Sequence, residues 1–518
     1  MTKALAEDMT DKGVIVIGAG AGGLAAGLRL AAEGFRVTLL ERAAGPGGKM
    51  RRVAVGASSL DAGPTVFTMK WVFDRLFAAI GESFEDHVRL RPASVLARHA
   101  WQDGATLDLF ADIDRSAEAI GAFAGPGEAR NYRAFCAESA EIFRLLKAPF
   151  ICRPAPDVAG LVGAFGLGSL SAMSRLGPFS TMWRALGRRF GDPRLRQLFG
   201  RYATYCGSSP FEAPATLMLV AHVEQDGVWY VEGGMHALAA ALAERLAARG
   251  GTLRYATHVQ EITLAGGRVS GVRLETGEHL DADAVVVNGD SAAVAAGLLG
   301  GAVSCAVPAP SADSRSLSAV TWIMEAPAGG FPLLRHNVFF SGDYRREFDD
   351  LFERRRLPGE PTVYVCAQDR LEDAEPPPEG PERLFCLVNA PAAGDRYAFQ
   401  KAEIEACASR TFSLLRTCGL EIARTPEKTV TVTPSDFHRL FPGTGGALYG
   451  RASHGWRAPL QRPGCRTAIP GLYLAGGSVH PGPGVPMATL SGLMAAESLA
   501  ADRASTRRYR AVAMSGGI

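Results

Sequence analysis

The sequence predicts an α/β fold built on a parallel sheet whose strands come from distant parts of the chain. Three observations carry that prediction. Val14–Ile17 is a short apolar run followed by glycines and an Ala/Leu-rich helical stretch, Leu24–Ala32; Gly34 closes the helix, and Phe35–Leu40 forms a second strand ending at Glu41. Strand, helix and strand in that order imply parallel pairing. Ala284–Val287 reads as a buried strand ending at Asn288, and Leu472–Ala475 as a last strand running into a Gly/Pro-rich loop and a helix, Met487–Ala501. With 518 residues the chain is too long for one compact core, so two or three packed units are expected.

Between these elements the pattern changes. Residues 95 to 225 are mixed and mostly helical. From 228 to 290 a helix (Met235–Arg249) stops at Gly250-Gly251, and short strands follow around a Gly266-Gly267 hairpin. Residues 305–430 alternate strands and helices, with a loop at Pro376-Pro377-Pro378 and a helix at 396–418. The tail, 502–518, is expected to be flexible.

Net charge is +2 and the pI is 8.1, which gives no support to nucleic-acid binding. The nine cysteines are odd in number, scattered and without a C-x-x-C pair, so neither a disulfide framework nor a metal site is expected, and their apolar surroundings suit buried thiols in a reducing compartment. The first residues lack the apolar core of a secretory leader, and no apolar run approaches the ~20 residues that cross a bilayer. The expectation is a cytoplasmic protein, or one lying on a membrane without spanning it.

Gly18, Gly20 and Gly23 have the G-x-G-x-x-G spacing. The first permits a tight turn, the second close approach of a pyrophosphate, and the third helix-to-strand packing, so the phosphates meet a helix N-terminus. Alone such a motif is weak. Here it follows a strand, opens a helix, and is succeeded by Glu41, placed to accept from ribose hydroxyls and unsuited to a 2′-phosphate. These features together predict a Rossmann-like dinucleotide site.

Glu41 leads into Gly47-Gly48-Lys49, and here the sequence resembles the amine-oxidase-like flavoproteins, in which such an element lies along FAD. Asp61-Ala62-Gly63-Pro64-Thr65-Val66 resembles the segment passing the flavin in their phytoene desaturase branch, and Gly476-Gly477 through Gly484-Val485-Pro486-Met487-Ala488 resembles the second half of the FAD signature. The resemblance implies FAD as cofactor, with Gly18, Gly20, Gly23, Glu41, Gly48, Lys49, Thr65, Val66, Gly477, Gly484, Val485, Pro486, Met487 and Ala488 against it. It also implies Val259 and Asn288 at the adenine and its ribose. No cysteine stands beside Gly476-Gly477-Ser478, so covalent attachment is not expected.

The resemblance runs from Val14 to about Ala501. Three longer stretches, Gly227–His236, Leu440–Trp456 and Gly484–Gly492, are most similar to the 1-hydroxycarotenoid 3,4-desaturase branch. It implies removal of two hydrogens across C3–C4 of an acyclic carotenoid with a hydroxyl or methoxyl at C1. It further implies a discontinuous FAD-binding domain (10–95, 226–300, 430–501) and an inserted α+β substrate domain (96–225, 301–429). No base is assigned; His222, Asp226, His236, His454 and His480 lie near stretches expected at the pocket, each more readily read as a hydrogen-bonded structural residue. Arg451 and His454 are candidates for recognising the C1 oxygen. Other enzymes of the superfamily (a phytoene desaturase, carotene isomerase, amine oxidase or protoporphyrinogen oxidase) and a non-catalytic prenyl-lipid carrier are the rival readings, the last disfavoured by the intact FAD signature.

A carotenoid partitions into lipid. Between Lys147 and Arg201 nine basic residues face two acidic ones, interleaved with Leu, Phe, Met and Trp. This composition suits a helical lid in the headgroup layer of an anionic membrane, or an ordinary basic lid over the cavity.

Overall fold

The computed structural model describes residues 13–157, 180–370 and 379–515. Its first sheet has five parallel strands in the order Thr252–Arg254, Arg36–Leu40, Gly13–Ile17, Ala284–Val287, Leu472–Leu474. The central strands are apolar on both faces because both faces are covered: Ile15, Val285 and Val287 pack against the antiparallel strands Val259–Ala265 and Arg268–Leu274, and the opposite face meets helices. Val14, Val16, Val285 and Val286 are fully buried. The helix Ala21–Ala32 packs on one face, held there by Met235–Ala248 and by the last helix, Val485–Ser515.

The second sheet has seven strands in the order Thr429–Val432, Ser318–Ala326, Glu382–Ala390, Val363–Ala367, His336–Phe339, Val95–Ala100, Thr106–Phe110. All neighbours pair antiparallel except His336–Phe339 with Val95–Ala100. Alternation along the strand Ser318–Ala326 separates two faces. Val320, Trp322 and Met324 pack under the helix Lys401–Thr417, whereas Ala319 and Ile323 belong to a separate cluster with Leu60 and Phe437. This second face, which also carries Thr321, looks toward the parallel-sheet unit and walls the cavity described below. A helical layer (Ile113–Ala124, Pro126–Leu146, Met182–Arg189, Pro193–Gly200) covers the cavity, its core a set of packed rings, Phe135, Phe190 and Phe199.

Two features bear on the tail and on the basic segment. The last helix continues to Ser515, where a flexible tail from 502 was expected. The reason is that no glycine or proline follows Asp502 until Gly516, so nothing in that stretch breaks the helix. In the basic segment, residues 158–179 lie outside the described residues, and with them Val158 to Phe179 of the expected lipid-facing set. Of the remainder, Met182 and Leu186 are fully buried, and Trp183 packs against Phe211 and Tyr344. Several cations are also committed within the protein. Arg189 pairs with Glu138, Arg194 with Asp192, and Arg196 donates to the carbonyl of Phe190. Among the described residues, no helix is long and apolar enough to cross a membrane.

Candidate functional site

The first strand ends at Gly18, whose φ of 97° turns the chain into the helix that Gly20 caps. A Cβ on Gly23 would stand 2.1 Å from the Gly18 oxygen, so the third glycine is the condition for helix and strand to meet. Gly22, a variable position of the spacing, is equally constrained. A Cβ there would lie 2.7 Å from Asn288 Oδ1 and 2.8 Å from the Ala488 oxygen, and one on Gly492 would lie 2.0 Å from the Gly22 oxygen. The glycine turn and the last helix therefore pack backbone against backbone.

Glu41, 9% exposed, braces this turn: Oε2 accepts from Ala19 N–H at 2.7 Å and Oε1 from Ala43 N–H at 2.8 Å. Each oxygen keeps a lone pair for a ribose hydroxyl. Asn288, expected at the adenine and its ribose, is wedged between the two glycine turns and donates through Nδ2 to Gly18 O at 3.3 Å. Across the turn, Gly476 N–H donates to Ser491 Oγ at 2.9 Å and Ser291 N–H to Ser478 Oγ at 2.9 Å. Asp61 anchors the segment leading to Thr65 by accepting from Met235 N–H, at the start of the helix Met235–Ala248.

These elements enclose a cavity of about 700 Å³. Gly18, Gly20, Glu41, Gly48, Lys49, Thr65, Val66, Val259, Asn288, Gly477, Gly484, Val485, Pro486, Met487 and Ala488 all line it, while Gly23 packs away from it. A backbone cradle without room for side chains, a buried carboxylate at the end of the second strand, and a helix N-terminus at Val485 fit an extended dinucleotide such as FAD. Lys49 is buried here and donates through Nζ to Leu448 O; burial pulls its ammonium below the usual range, with Asp290 opposing.

The same cavity continues past Thr65 into a chamber walled by Leu146, Phe150, Leu217, Leu219, Val223, Phe385 and Leu387. Its lining includes polar groups that the sequence did not single out: Arg201, Tyr205, Glu224, Thr321, Tyr344, Glu347, Tyr364, Asn389 and Arg462. Tyr364 Oη is 2.6 Å from Thr65 Oγ1 and 2.7 Å from His336 Nδ1. Burial lowers the His336 pKa to about 3, so its ring is neutral. Tyr202 Oη donates to Glu224 at 2.7 Å, and burial pushes that carboxyl up. Arg462 donates to the carbonyls of Tyr449, Arg451 and Gly477, tying the run 440–456 to the second glycine turn.

The residues offered for substrate chemistry lie elsewhere. Neither Arg451 nor His454 lines the cavity. Both ring nitrogens of His454 are engaged, Nδ1 with Glu212 at 2.8 Å and Nε2 accepting from Ser209 N–H at 2.9 Å, so it braces a turn. His222, Asp226, His236 and His480 also stay out of the wall. His480 is fully buried with Nε2 2.8 Å from Phe150 O, and burial lowers its pKa to about 4. The missed groups gave no local signal: Glu347 sits in the charged run Tyr344–Asp350, which reads as a solvated face.

Residues 21–500 match the flavin containing amine oxidoreductase family. The chain is 54% identical over 515 residues to a hydroxyneurosporene desaturase of Rubrivivax gelatinosus, covering 99% of this chain and 98% of that one. It is 46% identical to a hydroxyneurosporene desaturase of Cereibacter sphaeroides, covering 96% and 99%. Among solved structures, putrescine oxidase bound to putrescine superposes with a TM-score of 0.59 at 14% identity, covering 95% of this chain and 99% of that one. An oxidoreductase of Methanosarcina mazei gives 0.57 at 17% identity, covering 94% and 100%. The backbone cradle, the buried carboxylate and the extent of these matches agree: the chain belongs to the flavin containing amine oxidoreductase family.

Proposed function

We propose that the protein is an FAD-dependent carotenoid desaturase that introduces the C3–C4 double bond into an acyclic 1-hydroxy- or 1-methoxycarotenoid such as 1-hydroxyneurosporene. The observation that carries the reading is the continuity of one cavity from the glycine cradle, past Thr65, into an apolar chamber. The names of the relatives, hydroxyneurosporene desaturases at 54% and 46% identity, point to the same chemistry. Bound FAD supplies a hydride acceptor at N5. The Gly18–Gly23 turn and the helix Ala21–Ala32 hold the pyrophosphate, Glu41 the ribose, and the N-terminus of the helix Val485–Ser515 favours negative charge nearby. The apolar walls align the saturated bond and exclude water, which serves orientation and keeps the reaction from side paths. One hydrogen leaves as hydride and the neighbouring one as a proton.

In this reading 10–95, 226–300 and 430–501 form the cofactor unit, and 96–225 and 301–429 the substrate unit. All five parallel strands come from the first set, and the core of the seven-stranded sheet from the second. The substrate enters from the cytoplasmic surface of an anionic membrane by peripheral contact, a role supported by the basic and apolar composition of 147–201.

The test is FAD-loaded protein with 1-hydroxyneurosporene in anionic liposomes, quinone supplied, followed by absorbance and product mass. A red shift with loss of two hydrogens is expected. Turnover of phytoene alone, or of neither carotenoid, overturns the assignment. Sedimentation with anionic but not neutral vesicles is expected; no binding to either removes the membrane role.

A further inference from the structure

The chamber wall carries buried polar atoms that no described residue satisfies. On the cavity face of the second sheet, Thr321, Leu387 and Tyr364 lie in one cross-strand row. Asn389, on the strand Glu382–Ala390, and Thr362, just before the strand Val363–Ala367, lie one pleat further on, about 7 Å along the strands. Against this second row packs the short helix Tyr344–Phe348. Its Glu347 is 1% exposed; Oε2 accepts from Thr362 Oγ1 at 2.6 Å and from Ser341 Oγ at 3.0 Å, but Oε1 has no hydrogen-bond partner among the described residues. The hydroxyls of Tyr344, 7% exposed, and Thr321, 1% exposed, are likewise buried without a partner among the described residues. Glu347, Tyr344 and Thr321 all line the cavity.

An unmet acceptor and unmet hydroxyls on the wall of one chamber are costly unless a ligand completes them. A wholly apolar chain cannot do so. A ligand hydroxyl can, because it both donates and accepts. We propose that Glu347 and Tyr344, with Thr321, form the receptor for the hydroxyl at the end of the substrate, Glu347 Oε1 accepting its proton and Tyr344 Oη donating to its oxygen. The inference rests on the desaturase reading and deepens it by placing the determinant of 1-hydroxy specificity. The position is consistent with the chemistry: the C1 oxygen is only a few bonds from C3, and the receptor is one pleat from the row that touches Thr65. Burial supports the arrangement by pushing the Glu347 carboxyl up to about 7, so the group is not locked as a charge, and Asn389 beside it favours the ionised form. Arg201 bonds Tyr205 and Glu224 bonds Tyr202, and the Arg201 charge is felt at Tyr344 as well.

The experiment compares full-length, FAD-loaded wild type, Tyr344→Phe and Glu347→Gln on 1-hydroxyneurosporene, neurosporene and the 1-methoxy analogue, with KM and kcat separated and flavin content measured for each. Losing one of these contacts is expected to lower the wild-type preference for the hydroxylated over the unhydroxylated chain by about 10- to 100-fold, mainly through KM. Glu347→Gln turns an amide donor toward the ligand, and is expected to raise the methoxy-to-hydroxy preference, since an ether oxygen only accepts. An unchanged preference in both variants, or an equal loss of kcat on all three substrates with flavin retained, overturns the proposal. Failure of the desaturase reading is separately visible, as wild type that turns over none of them. Equilibrium binding, read by quenching of protein fluorescence, then decides the proposal on the same affinity ratio.

Discussion

Removing the Glu41 carboxylate isolates what the buried acid does for the cofactor loop. Two backbone N–H groups, Ala19 at 2.7 Å and Ala43 at 2.8 Å, depend on it, and the side chain is only 9% exposed, so water does not readily replace it. Leaving a buried donor unmet costs about 1–3 kcal/mol, so Glu41→Ala, which strands both, is expected to cost about 2–6 kcal/mol. Glu41→Gln keeps one carbonyl acceptor but presents its amide donors to the second N–H, and is expected to cost about 1–3 kcal/mol. Ala19 lies inside the Gly18–Gly23 turn, so the loss falls on the conformation that holds FAD. At 1.4 kcal/mol per tenfold, FAD should bind about 5- to 150-fold more weakly to the glutamine variant and at least about 30-fold more weakly to the alanine variant. Apoprotein titrated with FAD, read by flavin fluorescence, measures both, and far-UV circular dichroism checks that the fold persists. A glutamine variant binding as tightly as wild type, or two variants equally weak, would refute the reasoning.

The remaining predictions concern packing and pH. Gly492→Ala would place a Cβ 2.0 Å from the Gly22 oxygen; the two helices must separate, at about 1–3 kcal/mol or more, giving a lower Tm and less flavin on purification. Glu347 titrates near 7 in the folded protein against an ordinary 4.5, so its stabilising share is complete below 4.5 and lost as pH rises through 7. That difference is worth about 3 kcal/mol. Between pH 5 and 8 wild type should therefore lose stability relative to Glu347→Gln, seen as converging and then crossing Tm curves; parallel curves would show that the carboxyl titrates normally.

The cofactor half of the site was legible because its information is local. Glycine spacing, a following strand and an acidic residue at the end of that strand are fixed by a few neighbouring positions, and Glu41 and Gly18 stand where that pattern puts them. Gly22 escaped because its constraint comes from Asn288, Gly476 and Ala488, which lie far off in sequence and approach only once the elements pack. The chamber was illegible for the same reason. Thr321, Glu347, Thr362 and Asn389 come from four separate segments, and Glu347 was hidden in a charge run that resembles a surface. Arg451 and His454 stand off the cavity wall, since a branch-specific run need not line it: Arg451 offers its carbonyl to Arg462, and His454 supports Ser209. In the basic segment, composition alone could not tell a face turned to lipid from Met182 and Leu186 turned into a core.

The interlock of Gly22 with Ala488 and Gly492 also has a consequence in time. The two halves of the cradle leave the ribosome some 470 residues apart. At about 5–20 residues per second, the first glycine turn is exposed for roughly half a minute to a minute and a half before the helix that completes it exists. FAD capture is therefore a late event in the life of each chain. Once Ala284–Val287 has been made, the parallel sheet still lacks its Leu472–Leu474 strand, and the open side of Ala284–Val287 needs shielding until synthesis reaches the end of the cradle.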